Sequence, residues 1–141
     1  MTASQLSKAE ERLVKRCGTR DHFEIARRLG ETAEQAVIRE IQEELHVTAE
    51  IVRPLWLNQA FFKEEVDGLR YHELCVCFLL DVSNTVLPSR GNRFCLTEGE
   101  RRSSFEWLRF EQLKDEHFYP AFLKEAIFHL PENFTLRTEL E

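Results

Sequence analysis

Glu40, Glu43 and Glu44 are the residues whose spacing first suggests chemistry. They stand at i, i+3 and i+4. At about 100° per helical residue the three carboxylates project into one sector, where like charges repel by a few tenths of a kcal/mol per pair. Such a cluster is either a solvated acidic face or a site for a hard cation. Mg²⁺ and Mn²⁺ take carboxylate and water oxygens, and Mg²⁺ commonly shares the oxygens of a substrate phosphate rather than sitting in an all-protein cage. Three glutamates and a diphosphate would suit either ion.

A helix over this region has its own signals. Thr32 followed by Gln35 forms a capping box at its start. Val37, Ile38, Ile41 and Leu45 make an apolar stripe turned away from the glutamate sector, so the helix should bury one side and offer the other. His46 falls at its end, in a position that favours a left-handed backbone.

The order of residues adds more than the spacing. Arg39-Glu40-Ile41-Gln42-Glu43-Glu44-Leu45-His46-Val47 resembles the Arg-Glu-aliphatic-x-Glu-Glu-x-Gly-aliphatic core of the Nudix hydrolase signature, with His46 in place of the glycine. Glu31, eight residues before Arg39, matches the family's early glutamate, and the segment Gly30-Glu31-Thr32 matches its approach to the helix. Tyr71-His72-Glu73-Leu74 and Phe105-Glu106-Trp107-Leu108 with Leu113 are further similarities, so the resemblance runs from about Leu29 onward.

The resemblance implies an α+β fold, an α/β/α sandwich around a mixed sheet, and the chain's length implies that residues 1–141 form a single domain. It also implies hydrolysis of a diphosphate bond in a nucleoside diphosphate linked to another group, with Mg²⁺ or Mn²⁺ as cofactor. Glu40, Glu43 and Glu44 would be the metal ligands, and one of them would take the proton from the attacking water. Arg39 and Glu31 would form a bracing ion pair. Some Nudix enzymes recruit an acid from a distant loop, and Glu98 is the candidate here, with Glu100 beside it. Arg101 and Arg102 could hold a terminal phosphate. Trp56, Phe61, Phe62 or Tyr71 could stack on a base, or simply pack in the core.

The N-terminal part departs from the family pattern. Phe23-Glu24-Ile25 stands where the signature has its Gly-Gly loop. Leu6, Ala9, Leu13, Val14 and Cys17 follow a helical period that Gly18 would stop. A second start with Asp21 as N-cap and Glu24 three residues later leads to Leu29. Residues 1–29 are therefore expected to form two short helices. They either pack on the same core or are foreign to the fold, leaving the sheet without its first strands. In the second case catalysis would be impaired and the protein would serve as a Nudix-like binding or regulatory protein.

Beyond the signature, Ala49 to Phe62 reads as a long strand interrupted at Pro54, and Asp67-Gly68 as a hairpin turn. Tyr71 to Val82 reads as a central strand covered on both faces and paired antiparallel with the first. Ser83 to Gly99 is turn-rich and expected to be a loop, Ser104 to Leu108 a strand, and Pro120 to Leu130 a helix.

With 141 residues, 43% of them hydrophobic, the chain can bury one core. Its net charge of −6 argues against a nucleic-acid backbone or an anionic membrane as the main partner. The expected partner is a small nucleotide or nucleoside diphosphate derivative, and a homodimer remains open. No apolar run reaches the length of a transmembrane helix and no signal core is present, so a cytoplasmic location is expected. The four cysteines lack zinc-site spacing, and Cys75 and Cys77 lie too close along one strand for an ordinary disulfide, so all four are expected to be reduced.

Overall fold

The computed structural model describes residues 5–7, 12–17, 29–116, 118 and 121–140, the first two segments as backbone elements. The element that carries the acidic residues is helix α1, Ala33–Leu45. Thr32 caps it: its hydroxyl accepts from Gln35 N at 3.1 Å, and Gln35 Oε1 accepts from Thr32 N at 2.9 Å. Ala36, Val37, Ile41 and Leu45 are buried along one side, as the apolar stripe requires, while Ile38 packs at the margin. His46 closes the helix with φ 57° and ψ 31°, and its N–H donates to the Gln42 carbonyl. The imidazole residue thus occupies the left-handed position that glycine holds in the signature.

Among the described residues, seven strands form two sheets. Strands β1 (Gln5–Ser7), β2 (Arg12–Cys17), β5 (Arg93–Glu98) and β6 (Arg101–Arg109) form one sheet, in the order β1-β2-β6-β5 and antiparallel throughout. Strands β3 (Glu50–Lys63), β4 (Arg70–Asp81) and β7 (Thr135–Leu140) form the other, in the order β4-β3-β7, with β3 antiparallel to β4 and parallel to β7. The second sheet is therefore mixed, and the fold is α+β. Among the described residues no helix is long and apolar enough to cross a membrane.

Strand alternation divides the core into two clusters. Phe78 and Leu80 of β4 join Phe94, Leu96, Phe105 and Trp107 beneath α1. Cys75, Cys77 and Leu79, on the opposite face of β4, join Leu108, Phe110, Leu113, Leu123 and Ile127. The latter residues come from a 3₁₀ turn, Phe110–Asp115, and from the short helix α2, Leu123–Ala126. Helical elements thus cover both sides of the strands, as a sandwich requires. Cys75, Cys77 and Cys95 are free thiols. A hydrogen bond with Cys75, together with burial, pushes the Cys77 thiol up, whereas Ser104 and then Arg102 hold the exposed Cys95 thiol below its usual range.

Several expectations are corrected. The first N-terminal helix is absent: residues 5–7 and 12–17 are strands, and β2 pairs with β6 from Arg12↔Arg109 to Cys17↔Ser104. A helical spacing of apolar residues lost to a six-residue ladder supplied by a distant strand, a tertiary outcome that local periodicity does not encode. The sheet is consequently not left without an N-terminal strand. The second expected helix, from Asp21, and the segment Phe23-Glu24-Ile25 lie outside the described residues.

Between Ser83 and Gly99 the expected loop contains a 3₁₀ turn, Leu87–Arg90, and the whole of β5. Phe94 and Leu96 alternate inward with period two, a signal obscured by the flanking Gly91, Asn92 and Gly99. Gly99, with φ 58°, makes the tight turn into β6. Among the described residues strand β4 lies at the edge of its sheet rather than in the centre, and the two core clusters cover both faces of its second half. Helix α2 is shorter than the span from Pro120 to Leu130, and β7 follows Pro131 where no element was expected.

The other strand readings hold. Strands β3 and β4 pair antiparallel from Glu50↔Asp81 to Lys63↔Arg70, with register shifts on either side of Pro54, where a missing N–H interrupts the ladder. Asp67-Gly68 forms their turn, with Gly68 at φ 71° and Asp67 Oδ1 accepting from Leu69 N at 2.8 Å.

Candidate active site

Helix α1 holds Arg39 at the centre of three carboxylates. Glu31 lies before the cap, two turns below Arg39, and the guanidinium reaches back along the helix to it. Nε and Nη2 of Arg39 donate to the two Glu31 oxygens at 2.7 and 3.1 Å, a bidentate pair. Nη1 donates to Glu40 Oε1 at 2.9 Å and to Glu43 Oε2 at 3.2 Å. The Arg39 side chain is 18% exposed and that of Glu31 13%, so the pair is partly withdrawn from solvent. Glu31, then Glu40 and Glu43, raise the Arg39 pKa further above its ordinary value against an opposing effect of burial. The guanidinium is a permanent charge here.

This arrangement offsets the repulsion expected of the glutamate sector. Arg39 binds one oxygen of Glu40 and one of Glu43 and sets the directions of both side chains. Glu44 also borders a shallow, solvent-open pocket together with His46, Leu96, Thr97, Glu98, Arg101, Ser103 and Phe105. Glu40 and Glu43 are thus bonded to the Arg39 hub, and Glu44 shares a pocket with the β5–β6 hairpin.

That hairpin brings Glu98 to the same pocket as Glu44, although the two are 54 positions apart. Arg101 joins them. Arg102, the next residue, has an exposed side chain paired in register with Thr97, and alternation along β6 sends it to the other face of the sheet. Glu100 is exposed in the turn. Of the four aromatic candidates, Trp56 is buried edge-on against Phe122. Phe61 stacks on His72 at 4.2 Å, and Phe62 on Tyr71 at 5.7 Å between ring centroids. His46, Ser103 and Phe105 were not singled out as a group by sequence reasoning, since only the folding of β5 and β6 against α1 makes them neighbours.

The donor set fits a hard cation in its chemistry, since Glu40, Glu43, Glu44 and Glu98 offer carboxylate oxygen. Three carboxylates, Glu31, Glu40 and Glu43, share the one Arg39 guanidinium, so the hub keeps a net negative charge. Among the described residues, however, no three His, Cys, Asp or Glu side chains converge closely enough to hold a metal ion. Arg39 bonds Glu40 and Glu43, while Glu44 borders the pocket at the hairpin.

The profile of the NUDIX domain matches residues 26–128. The chain belongs to the NUDIX family. The matched segment takes in Glu31, the whole of α1 and both strands of the β5–β6 hairpin, so the NUDIX residues and the pocket opposite them fall within it. Strands β1, β2 and β7 lie outside the match. A comparison with curated proteins returned no match. NUDIX membership connects the chain in general to hydrolases of nucleoside diphosphates linked to a further group.

Proposed function

We propose that this NUDIX protein is a metal-dependent hydrolase that cleaves the diphosphate bond of a nucleoside diphosphate derivative. The observation that carries the reading is the Arg39 hub, with its bidentate grip on Glu31 and its hold on Glu40 and Glu43. An arginine neutralising an acidic face for solubility alone has no need of a partner eight residues away. A brace that fixes the carboxylates in direction does.

Glu40, Glu43 and Glu44 would hold Mg²⁺ or Mn²⁺, which supplies charge neutralisation at the phosphates and a more acidic bound water. The chain's own part is positioning. Arg39 orients Glu40 and Glu43, Glu31 anchors Arg39, and Glu40 or Glu43 accepts the proton of the attacking water. The new bond joins water oxygen to phosphorus, the bridging P–O bond breaks, and the leaving phosphate departs with the electron pair. Glu98, across the pocket from Glu44, is the second candidate for the base. Arg101 would bring positive charge toward the departing phosphate.

The test is cleavage of a panel of nucleoside diphosphate derivatives with Mg²⁺ or Mn²⁺, repeated for Glu43→Gln and Glu44→Gln. Each change should lower kcat/KM by about 10²-fold or more, the usual scale for losing a charge-stabilising or proton-transfer group. Full activity in both variants overturns the reading. His46 at the left-handed end of α1, in place of the signature's glycine, favours one second reading, a NUDIX protein that binds a nucleotide without turnover. It predicts a nucleotide-dependent rise in Tm with Mg²⁺ present but no product over the whole panel.

A further inference from the structure

Strand β7 presents an edge that no other described strand uses. It lies beside β3, from Trp56↔Thr135 to Phe61↔Leu140 without a register shift, and among the described residues no strand lies on its other side. Sheet edges in monomers are commonly blunted by proline, lysine, a bulge or inward-pointing charges of one sign that no neighbour could pair. Thr135-Leu136-Arg137-Thr138-Glu139-Leu140 has no proline, lysine or bulge, and its two inward charges, Arg137 and Glu139, are of opposite sign.

Its side chains sort by face. Leu136 and Leu140 are 61% and 76% exposed on one face, which continues onto the exposed Phe61 and Leu74 of β3 and β4. Arg137 and Glu139 lie half-buried on the other. Glu139 accepts from Asn58 Nδ2 at 3.2 Å, and the Arg137 guanidinium sits 3.9 Å above the Phe122 ring. The Arg137 Nε is buried without a hydrogen-bond partner, and no carboxylate pairs with Arg137 among the described residues.

We infer that β7 is a homodimer interface, pairing antiparallel with the β7 of a second copy about a two-fold axis at Thr138, so that the two three-stranded sheets become one of six strands. In that register Arg137 faces Glu139 of the other copy, twice. Leu136 faces Leu140, twice, and Thr138 faces itself. Opposite charges and apolar groups directly across an antiparallel pair are the stabilising combinations. The competing registers lack this agreement. Centring the pair on Arg137 or on Glu139 sets like charges together, and so does a parallel pair in register. A shift of one residue joins the apolar face of one copy to the polar face of the other. The strand is therefore self-complementary in one arrangement, as an isologous contact requires.

The interface is small and of the transient class, so a dissociation constant of about 10–100 µM is expected. Sedimentation equilibrium of the full chain should show a monomer–dimer equilibrium in that range. Arg137→Glu sets two glutamates opposite each other and Glu139→Arg two arginines, so each alone should weaken the dimer at least ~10-fold. The double variant restores opposite charges and should return to within ~3-fold of the original. Because these side chains also touch Asn58 and Phe122, a second readout bypasses them. Thr138→Cys should form a covalent dimer under mild oxidation. Thr135→Cys, about 20 Å from its own copy in this register, should remain as uncrosslinked as the parent chain. A monomer at all concentrations up to about 1 mM, a dimer indifferent to the single charge reversals, or equal crosslinking at positions 135 and 138 would each overturn the proposal.

Discussion

Arg39 does at the residue scale what the acidic sector could not do alone. Its bidentate bond to Glu31 uses the planar fork of the guanidinium, and the remaining nitrogen joins Glu40 to Glu43. Lysine would keep the charge but lose the fork. Arg39→Lys should therefore lower kcat by about 10-fold or more, with a smaller change in KM, measured on whichever nucleotide of the panel is cleaved. His46 makes the opposite case, a residue retained at a backbone cost. Its left-handed φ is the one positive value outside glycine among the described residues. His46→Gly should raise stability by about 0.5–1 kcal/mol in urea titration, because glycine adopts this conformation without a Cβ penalty. No gain would mean that the imidazole makes compensating contacts along the pocket it lines with Glu44 and Glu98.

At the scale of elements, α1 and the β3–β4 hairpin are each secured at an end by side chains that bond to nearby backbone. Thr32→Ala removes the α1 cap and should cost about 1 kcal/mol, seen as a lower denaturation midpoint with an unchanged m-value. At the hairpin tip the Tyr71 hydroxyl donates to Asp67, and the Leu69 N–H donates as well; together they hold the Asp67 carboxyl below its usual range. The Ser83 hydroxyl and N–H do the same for Asp81 at the end of β4. A carboxyl whose pKa is depressed in the folded state stabilises above its unfolded value of about 4 and loses that contribution as pH falls through the folded value. Thermal melts from pH 7 to pH 2 should show the parent chain more stable than the Asp67→Asn, Asp81→Asn double variant at neutral pH. The gap should close in the acid range, and a gap independent of pH would contradict the assignment.

For the molecule as a whole, the candidate site depends on one core holding α1 against both sheets. Ile41 is 1% and Leu45 0% exposed, on the side of α1 away from the glutamates. Ile41→Ala should cost about 2–5 kcal/mol by opening a cavity under the helix, and any activity should fall with the folded fraction while KM stays level. The division between sequence and structure follows the same lines. Local rules made α1 legible, because its cap, its apolar stripe and its left-handed end each involve residues within a few positions of one another. The Arg39–Glu31 pair was legible as a family resemblance, and the Asp67-Gly68 hairpin as turn chemistry. Strands β2, β5 and β7 were not, since each is defined by a ladder to a segment 13 to 97 residues away at its first paired position, and a ladder has no local signature. The same holds for the pocket that joins Glu44 to Glu98, for the hub's capture of Glu40 and Glu43, and for the row Arg137, Asn58 and Cys75 across the mixed sheet. By itself the sequence determined which helix carries the acids and which side of it faces the core. Only tertiary structure decided what the acids face, because that depends on backbone pairing between distant segments, whose free energy appears only when both have been brought together.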